Sequence, residues 1–305
     1  MAIPESAGLH PQARAVRLSL LALTFGIVGI AFSPIFVRLS LIGPIATGFY
    51  RFALALPLLA LWMRQENRSR AAAAPSKTPR EYARLMLAGV FIGLDLSLWH
   101  WAIVSTSVAN ATLFANFASL FVTIGAWLFF GDRITRLFLI GLSLALLGAS
   151  GMMLDDVSLG ASHIVGNLLA LGAAVFYAGY LLSVKSLRAQ FSTATVMTWS
   201  AVGAGGAMLV LALLTESQFV ATSLTGWLVL AGLAWISHAG GQGLIAFSFR
   251  QLPASFSSVS LLLQPVLAAL FAWVLLSEPL SLGQGVSGLV VLVGIMIARR
   301  GSRFV

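Results

Sequence analysis

Ala126-Trp127-Leu128-Phe129-Phe130-Gly131-Asp132-Arg133 and, 146 residues later, Ala272-Trp273-Val274-Leu275-Leu276-Ser277-Glu278-Pro279 close two apolar segments in the same way. The tryptophan pair, the acidic pair and a later pair of glycines, Gly148 with Gly294, share that single offset. At an offset of 148, Leu20-Leu21-Ala22-Leu23 also matches Leu168-Leu169-Ala170-Leu171, an identity of low complexity that carries less weight. The chain reads as two copies of one unit joined in tandem.

Each copy is built of membrane-length apolar runs. Of 305 residues 59% are hydrophobic and 9% charged, and the mean hydropathy is +0.97. A soluble domain carries about 25% charged residues, so too little polar surface remains here to face water, and a disordered chain is excluded as well. Ten runs approach the ~20 residues that an apolar helix needs to cross a bilayer. They lie near 18 to 37, 44 to 63, 85 to 105, 108 to 130, 136 to 154, 165 to 184, 194 to 214, 225 to 248, 255 to 276 and 282 to 298. The fold class is therefore an all-α membrane protein of ten transmembrane helices.

Charge orients these spans. With the N-terminus in the cytoplasm, sixteen of the eighteen basic residues fall on the inner side, leaving Arg38 at the outer end of the first span and Arg51 within the second. The outer connections carry Asp155, Asp156, Glu216 and Glu278 and no lysine. This asymmetry is the positive-inside pattern, and it predicts both termini inside. Arg14 and Arg17 before the first run resemble the start of a signal peptide, but the run is too long and leads into further spans, so it reads as a retained anchor. The longest connection, 64 to 84, is rich in Arg, Ala and Pro and reads as a flexible cytoplasmic loop. The expected organisation is a cytoplasmic N-terminus at 1–17, one five-helix repeat at 18–157, a second at 161–300 and a cytoplasmic tail at 301–305.

Five is odd, so the second copy enters the membrane with opposite polarity and the two form an inverted repeat. Such repeats characterise secondary transporters, in which the halves exchange conformations to open a central site alternately to each side. Ten spans in two halves, with the A-x-x-x-x-GD/SE pattern closing the fourth and ninth, resemble the EamA-type branch of the drug/metabolite transporter superfamily. Within it the chain is similar to bacterial YddG-type exporters of aromatic and other neutral amino acids. The resemblance covers residues 18 to 300. It implies a multi-pass protein of the bacterial inner membrane whose spans 1, 3, 4, 6, 8 and 9 surround a cavity while spans 5 and 10 lie peripherally. Gln264-Pro265 resembles the family's proline-containing segment, and its counterpart Ala118-Ser119 lacks the proline.

Polar residues at membrane depth mark the candidate site. An ionisable group at the bilayer centre is costly by several kcal/mol and needs a reason to be there. Asp95 lies roughly 16 Å beyond Arg84 along a helix, and His238 about 20 Å from the outer start of the eighth span, so both fall near the midplane. They read either as an ammonium or proton site or as a structural pair. Arg51, about 10 Å below the outer surface, either holds a carboxylate or snorkels to meet lipid headgroups or Asp95. Asn110, Asn116, Gln242 and Gln264 offer neutral amides that bind an amino-acid backbone or stitch helices together. Gln242 follows His238 by one helical turn, and Asn116 and Gln264 occupy nearly matched positions in the two copies. Tyr50, Trp99, Trp101, Phe176, Tyr177, Tyr180 and Trp199 supply aromatic surface, which suits either an aromatic or cationic substrate or the membrane interface. The candidate substrate-binding set is Tyr50, Asp95, Trp99, Trp101, Asn116, Tyr177, Tyr180, His238, Gln242 and Gln264. Gly89 and Gly93 form a G-x-x-x-G that reads as helix packing.

Other functions find little support. There is no cysteine, and His10, His100, His163 and His238 never approach metal-ligand spacing, so neither a metal nor a cofactor is expected. The net charge of +9 is divided among loops and forms no stripe for nucleic acid. Gly148-Ala149-Ser150-Gly151 matches the G-x-S-G of rhomboid-like serine proteases, but Gly148 already has its repeat partner, and a single mid-membrane aspartate excludes an aspartyl pair. No phosphate-binding G-x-x-x-x-G-K-[ST] and no filter-like ring of charges is present. The sequence thus predicts a non-enzymatic exporter of neutral, aromatic or bulky amino acids and similar metabolites. It is expected to work as a monomer in the lipid bilayer, with the proton as candidate coupling ion and facilitated diffusion as the uncoupled alternative.

Overall fold

Hydropathy dictates that helices form but says nothing about where they break. The computed structural model describes residues 11–69, 78–153, 163–277 and 279–302, and every regular element among them is helical. The first span is α1 (Pro11–Ala31) and α2 (Ser33–Leu39), interrupted before Pro34. The second is α3 (Pro44–Ala53) and α4 (Leu56–Ser69), and the third is the unbroken α5 (Pro79–Ser105). The fourth divides into α6 (Val108–Ala115) and α7 (Ala118–Phe130), followed by α8 (Arg136–Gly151). In the second half α9 (Ile164–Arg188) and α10 (Thr193–Thr215) are continuous. The eighth span runs from α11 (Leu224–Gly232) through a π-helical segment, Leu233–Gln242, into α12 (Gly243–Ser248). The last elements are α13 (Ala254–Leu261), α14 (Leu263–Leu276) and α15 (Leu282–Gly301).

The 146-residue offset reappears in the backbone. Gly131 and Ser277 both end their helices in the left-handed region, at φ 68° and φ 54°, and Ser277 is the one non-glycine residue with positive φ among those described. Glycine takes that conformation freely whereas serine does not, so the turn itself is what the two copies share. Four residues later Thr135 and Ser281 cap α8 and α15 through their side chains. The breaks in the fourth and ninth spans also correspond: Asn116 follows α6, and Leu262, 146 residues on, follows α13. A helix break therefore occurs at both positions although only the later segment has Pro265.

Close approaches are made by small residues. A Cβ on Gly141 or Gly294 would strike the backbone of Ala298 or Ala145, which binds α8 and α15 to each other at the edge of the bundle. Gly148 meets Val291 in the same contact, so this glycine serves packing. Gly89 lies on the Ser200 carbonyl and Gly93 on Ala204, as a G-x-x-x-G packing face requires. Gly26 and Gly29 of α1 cross the π-segment at Gly241, where an added Cβ would stand 2.8 Å from backbone atoms. Large apolar side chains such as Leu214, 77% exposed, and Leu282, 87% exposed, cover the outer surface, as expected of a chain solvated by lipid.

Three expectations differ in detail from the structure. Nine of the described helical segments are long and apolar enough to cross a membrane. The fifth expected span, 136 to 154, is the 16-residue α8, about 24 Å long and shorter than a ~30 Å hydrocarbon core. Of the expected loop 64 to 84, the described parts are largely helix: α4 continues to Ser69, and α5 starts at Pro79 under a reciprocal cap in which Glu81 Oε2 accepts the Thr78 N–H at 2.6 Å. Polar residues such as Glu66 and Arg68 extend a helix once its apolar part has formed. Likewise α1 reaches back to Pro11, into the expected N-terminal tail. Asp155, Asp156 and Glu278 lie outside the described residues.

Candidate functional site

A cavity of about 370 Å³ opens where the helix breaks and the π-segment converge. This is within the ~300–1,000 Å³ usual for small-molecule sites. Of the expected residues it brings together Asp95 and Trp99 from α5, Asn116 at the break after α6, Tyr177 from α9, Gln242 at the end of the π-segment and Gln264 from α14. Six side chains from both halves thus share one chamber.

The other four are placed elsewhere. Tyr50 packs into an aromatic cluster with Phe49, Phe219 and Trp227, its ring 5.1 Å from that of Trp227. Trp101 is half-buried against the main apolar core. Trp99 and Trp101 are two residues apart, about 200° around a helix, so a single face cannot present both. Tyr180 is fully buried behind the chamber, stacked on Tyr177 at 6.2 Å, and both phenols lie close to the Gln242 side chain. His238 is also fully buried, with its ring edge against Phe52 at 4.7 Å and neither nitrogen hydrogen-bonded. Asn110 bonds Asn167 Oδ1 at 3.1 Å and stitches α6 to α9.

The sequence reading left three lining groups out of the set. Arg51 lines the cavity and is 8% exposed, which speaks against snorkelling to headgroups, and it lies within electrostatic range of Asp95. His100 lines it beside Trp99, with ring centroids 5.5 Å apart and Nδ1 unpartnered. Gly48, one turn before Arg51, admits the Met208 side chain and leaves space at the wall. The signal for Arg51 was present, since it is the only charged residue in its apolar run, but hydropathy carries no azimuth.

The chamber therefore offers one guanidinium, one carboxylate, one imidazole, three amides and two aromatic walls. Asn116 Nδ2 has no hydrogen-bond partner, although its backbone carbonyl accepts the Ser119 hydroxyl at 3.0 Å. Unsatisfied buried polar atoms require an explanation, and a bound solute supplies one. No group of three His, Asp or Glu side chains among the described residues is arranged to hold a metal. A second, small space of about 50 Å³ continues from Asn116, Tyr177 and Gln264 between the two helix breaks.

Away from the cavity, the cations within spans are paired with carbonyls. Lys185 donates to the Phe249 and Leu252 carbonyls, both at 2.8 Å, and Arg188 donates to Ala246 at 3.0 Å and to Phe191. These bonds tie the end of α9 to the turn joining the eighth and ninth spans.

Comparison with known proteins agrees with this architecture. The EamA-like transporter family matches residues 16–154 and again 164–300. An uncharacterized transporter of Archaeoglobus fulgidus is 28% identical over 288 residues, covering 92% of this chain and 97% of its own. The pseudopaline exporter CntI of Pseudomonas aeruginosa is 26% identical over 83% of this chain and 86% of its own. An uncharacterized transporter of Methanothermobacter thermautotrophicus is 26% identical over 63% of this chain, and the match spans 57% of that relative's length. A crystal structure superposes with a TM-score of 0.79 at 14% identity, over 96% of this chain and all of that one, which establishes the fold alone.

Proposed function

Since the chain belongs to the EamA-like transporter family, we propose that it exports neutral, aromatic or bulky amino acids and similar metabolites across the bacterial inner membrane by alternating access. The observation that carries this reading is the chamber, where amides from both halves meet an aromatic wall and a single pair of opposite charges. Asp95, Trp99, Asn116, Tyr177, Gln242 and Gln264 are its binding residues, with Tyr180 supporting Tyr177 from behind.

The proposed architecture is ten spans in two inverted five-helix repeats, 18–157 and 161–300, with both termini cytoplasmic. The matched turns, caps and helix breaks at one offset support it, as do the two separate family segments. In that orientation the cavity runs from mid-span toward Val37, Thr112 and Met153, all at outer ends, while Lys185 and Arg188 fasten the inner end. The conformation is then outward-facing.

The test is counterflow in proteoliposomes containing the purified chain. Saturable exchange of phenylalanine, tryptophan or leucine is expected. Phosphorylated substrates should exchange poorly, because a dianion needs a cluster of cations and, among the described residues, Arg51 is the only guanidinium lining the chamber. The relative named as a pseudopaline exporter favours a second reading, in which the cargo is another small metabolite. Exchange of such a compound without exchange of any neutral amino acid selects that alternative, and efficient sugar-phosphate exchange overturns both.

A further inference from the structure

We propose that Arg51 and Asp95 are the two poles of a receptor for a zwitterion, with the guanidinium taking a carboxylate and the carboxylate taking an ammonium of the same molecule. This deepens the proposed transport function and rests on it for the direction of movement alone.

Both groups face the cavity, one from α3 and one from α5, helices that pack on each other and so hold the poles in place. They lie within electrostatic range of one another, yet neither makes a hydrogen bond or close ion pair among the described residues. Arg51 Nε has no partner at all at 8% exposure. A structural cation in this protein looks different: Lys185 and Arg188 each donate to two backbone carbonyls. A buried charge is strongly disfavoured unless it is paired and hydrogen-bonded, so the Arg51 guanidinium, buried with Nε unpartnered, is missing a ligand that the fold does not supply, and Asp95 faces the same space from α5.

Their sum restricts the ligand further. One positive and one negative pole leave the chamber without net charge, so a monoanion satisfies Arg51 and strands Asp95, and a monocation does the reverse. Only a molecule carrying both charges satisfies both. The remaining lining groups serve the rest of the cargo, with Asn116, Gln242 and Gln264 offering amides and Trp99 and Tyr177 offering aromatic surface. The poles belong to the first half of the chain and Tyr177, Gln242 and Gln264 to the second. A bound zwitterion therefore bridges the parts that must move.

The experiment measures binding to the detergent-purified full chain by thermal shift and, separately, counterflow in proteoliposomes. The probes are L-phenylalanine, L-phenylalaninamide, which lacks the carboxylate, and 3-phenylpropionate, which lacks the ammonium. Phenylalanine should bind about tenfold or more tightly than either analogue, the difference expected of a charge-assisted hydrogen bond. Arg51→Gln should lose that factor for phenylalanine and leave the amide unchanged. Asp95→Asn should lose it and leave 3-phenylpropionate unchanged. Unchanged binding of one analogue shows in each case that the variant is folded.

Equal binding of all three probes to the unsubstituted protein, no binding of any, or an equal loss for every probe in the variants overturns the two-pole receptor. Preferential zwitterion binding without counterflow sustains the receptor and overturns the transport reading instead.

Discussion

Glu66 and Glu216 cap each other's helices. Glu216, following α10, accepts the Ile45 and Ala46 amides at the start of α3, both at 2.7 Å, while Glu66 near the end of α4 accepts the Ala194 amide at the start of α10 at 3.3 Å. Each carboxylate meets free N–H groups and the positive end of a helix dipole. The second and seventh spans, one from each half, are thus joined at both ends by the same device.

Replacing Glu216 with Gln leaves one acceptor and sets an amide NH2 against the other N–H, so it weakens the stronger of these caps and should lower stability by about 1–2 kcal/mol, read as a fall in Tm of the detergent-purified chain. Glu66→Gln, which loses one longer bond, should have the smaller effect. Gly43→Ala should resemble Glu216→Gln, because a Cβ at Gly43 lands on the Glu216 carboxylate. Equal and negligible shifts for all three would show that the caps are ornamental.

Where α1 crosses the π-segment, backbone touches backbone at Gly26 and Gly241. Gly241→Val should lower Tm strongly, since overpacking costs about 1–3 kcal/mol and here no flexible side chain can yield. Gly206→Ala, whose added methyl meets nothing within 4 Å, should stay within about 0.5 kcal/mol of the parent. Comparable losses at the two positions would mean that glycine itself, and not the crossing, is what the fold requires.

The shared 146-residue offset was legible because Trp127 with Trp273 and Gly131-Asp132 with Ser277-Glu278 stand at that one spacing, and the structure shows matched helix ends at Gly131 and Ser277. Asp95, Asn116 and Gln264 were legible because an isolated polar residue in an apolar run is costly unless it has a use. The π-segment was not, since a switch to a wider helix leaves the hydropathy of Leu233–Gln242 unchanged. Nor was rotation about the helix axis: the same signal that drew attention to Trp99 drew it to Trp101, and to Tyr50 although Arg51 is the neighbour that faces the chamber. Residue type reports depth, and only packing reports direction.

Topology is open to direct measurement. Reporters fused after residue 75 and at the C-terminus should read cytoplasmic, and one inserted at Asp156 should read periplasmic, as the clustering of sixteen basic residues on one side requires. A single reversed reading contradicts the ten-span arrangement and with it the outward-facing assignment.

The absence of cysteine makes the closed end equally accessible to experiment. Leu181, one turn before Lys185 and 1% exposed, can carry a single thiol as Leu181→Cys. Adding Lys185→Met frees the Phe249 and Leu252 carbonyls from the end of α9 and should raise the rate at which a hydrophilic maleimide reaches that thiol from the inner side. No change in labelling would show that Lys185 anchors the turn without holding the end closed.

Proton coupling is the sharpest question left by the placement of His238. Its ring is fully buried against Phe52 with both nitrogens unpartnered, one turn from the cavity-lining Gln242 on a π-helical segment. Removing polar atoms that make no bonds is neutral or stabilising, so His238→Leu should leave Tm unchanged or higher. If protons pass through the π-segment, the same variant should keep counterflow, which needs no gradient, and lose accumulation driven by a pH gradient. Asp95→Asn acts on the cavity wall and should weaken both together. We expect this separation, because π-helical turns concentrate at functional positions and the His238 nitrogens make no hydrogen bond there. Retention of gradient-driven accumulation in His238→Leu, with an unaltered pH profile, would remove the proton from the mechanism at this residue. Transport would then be facilitated diffusion, with the substrate held by Asn116, Gln264 and the aromatic wall and moving down its own gradient.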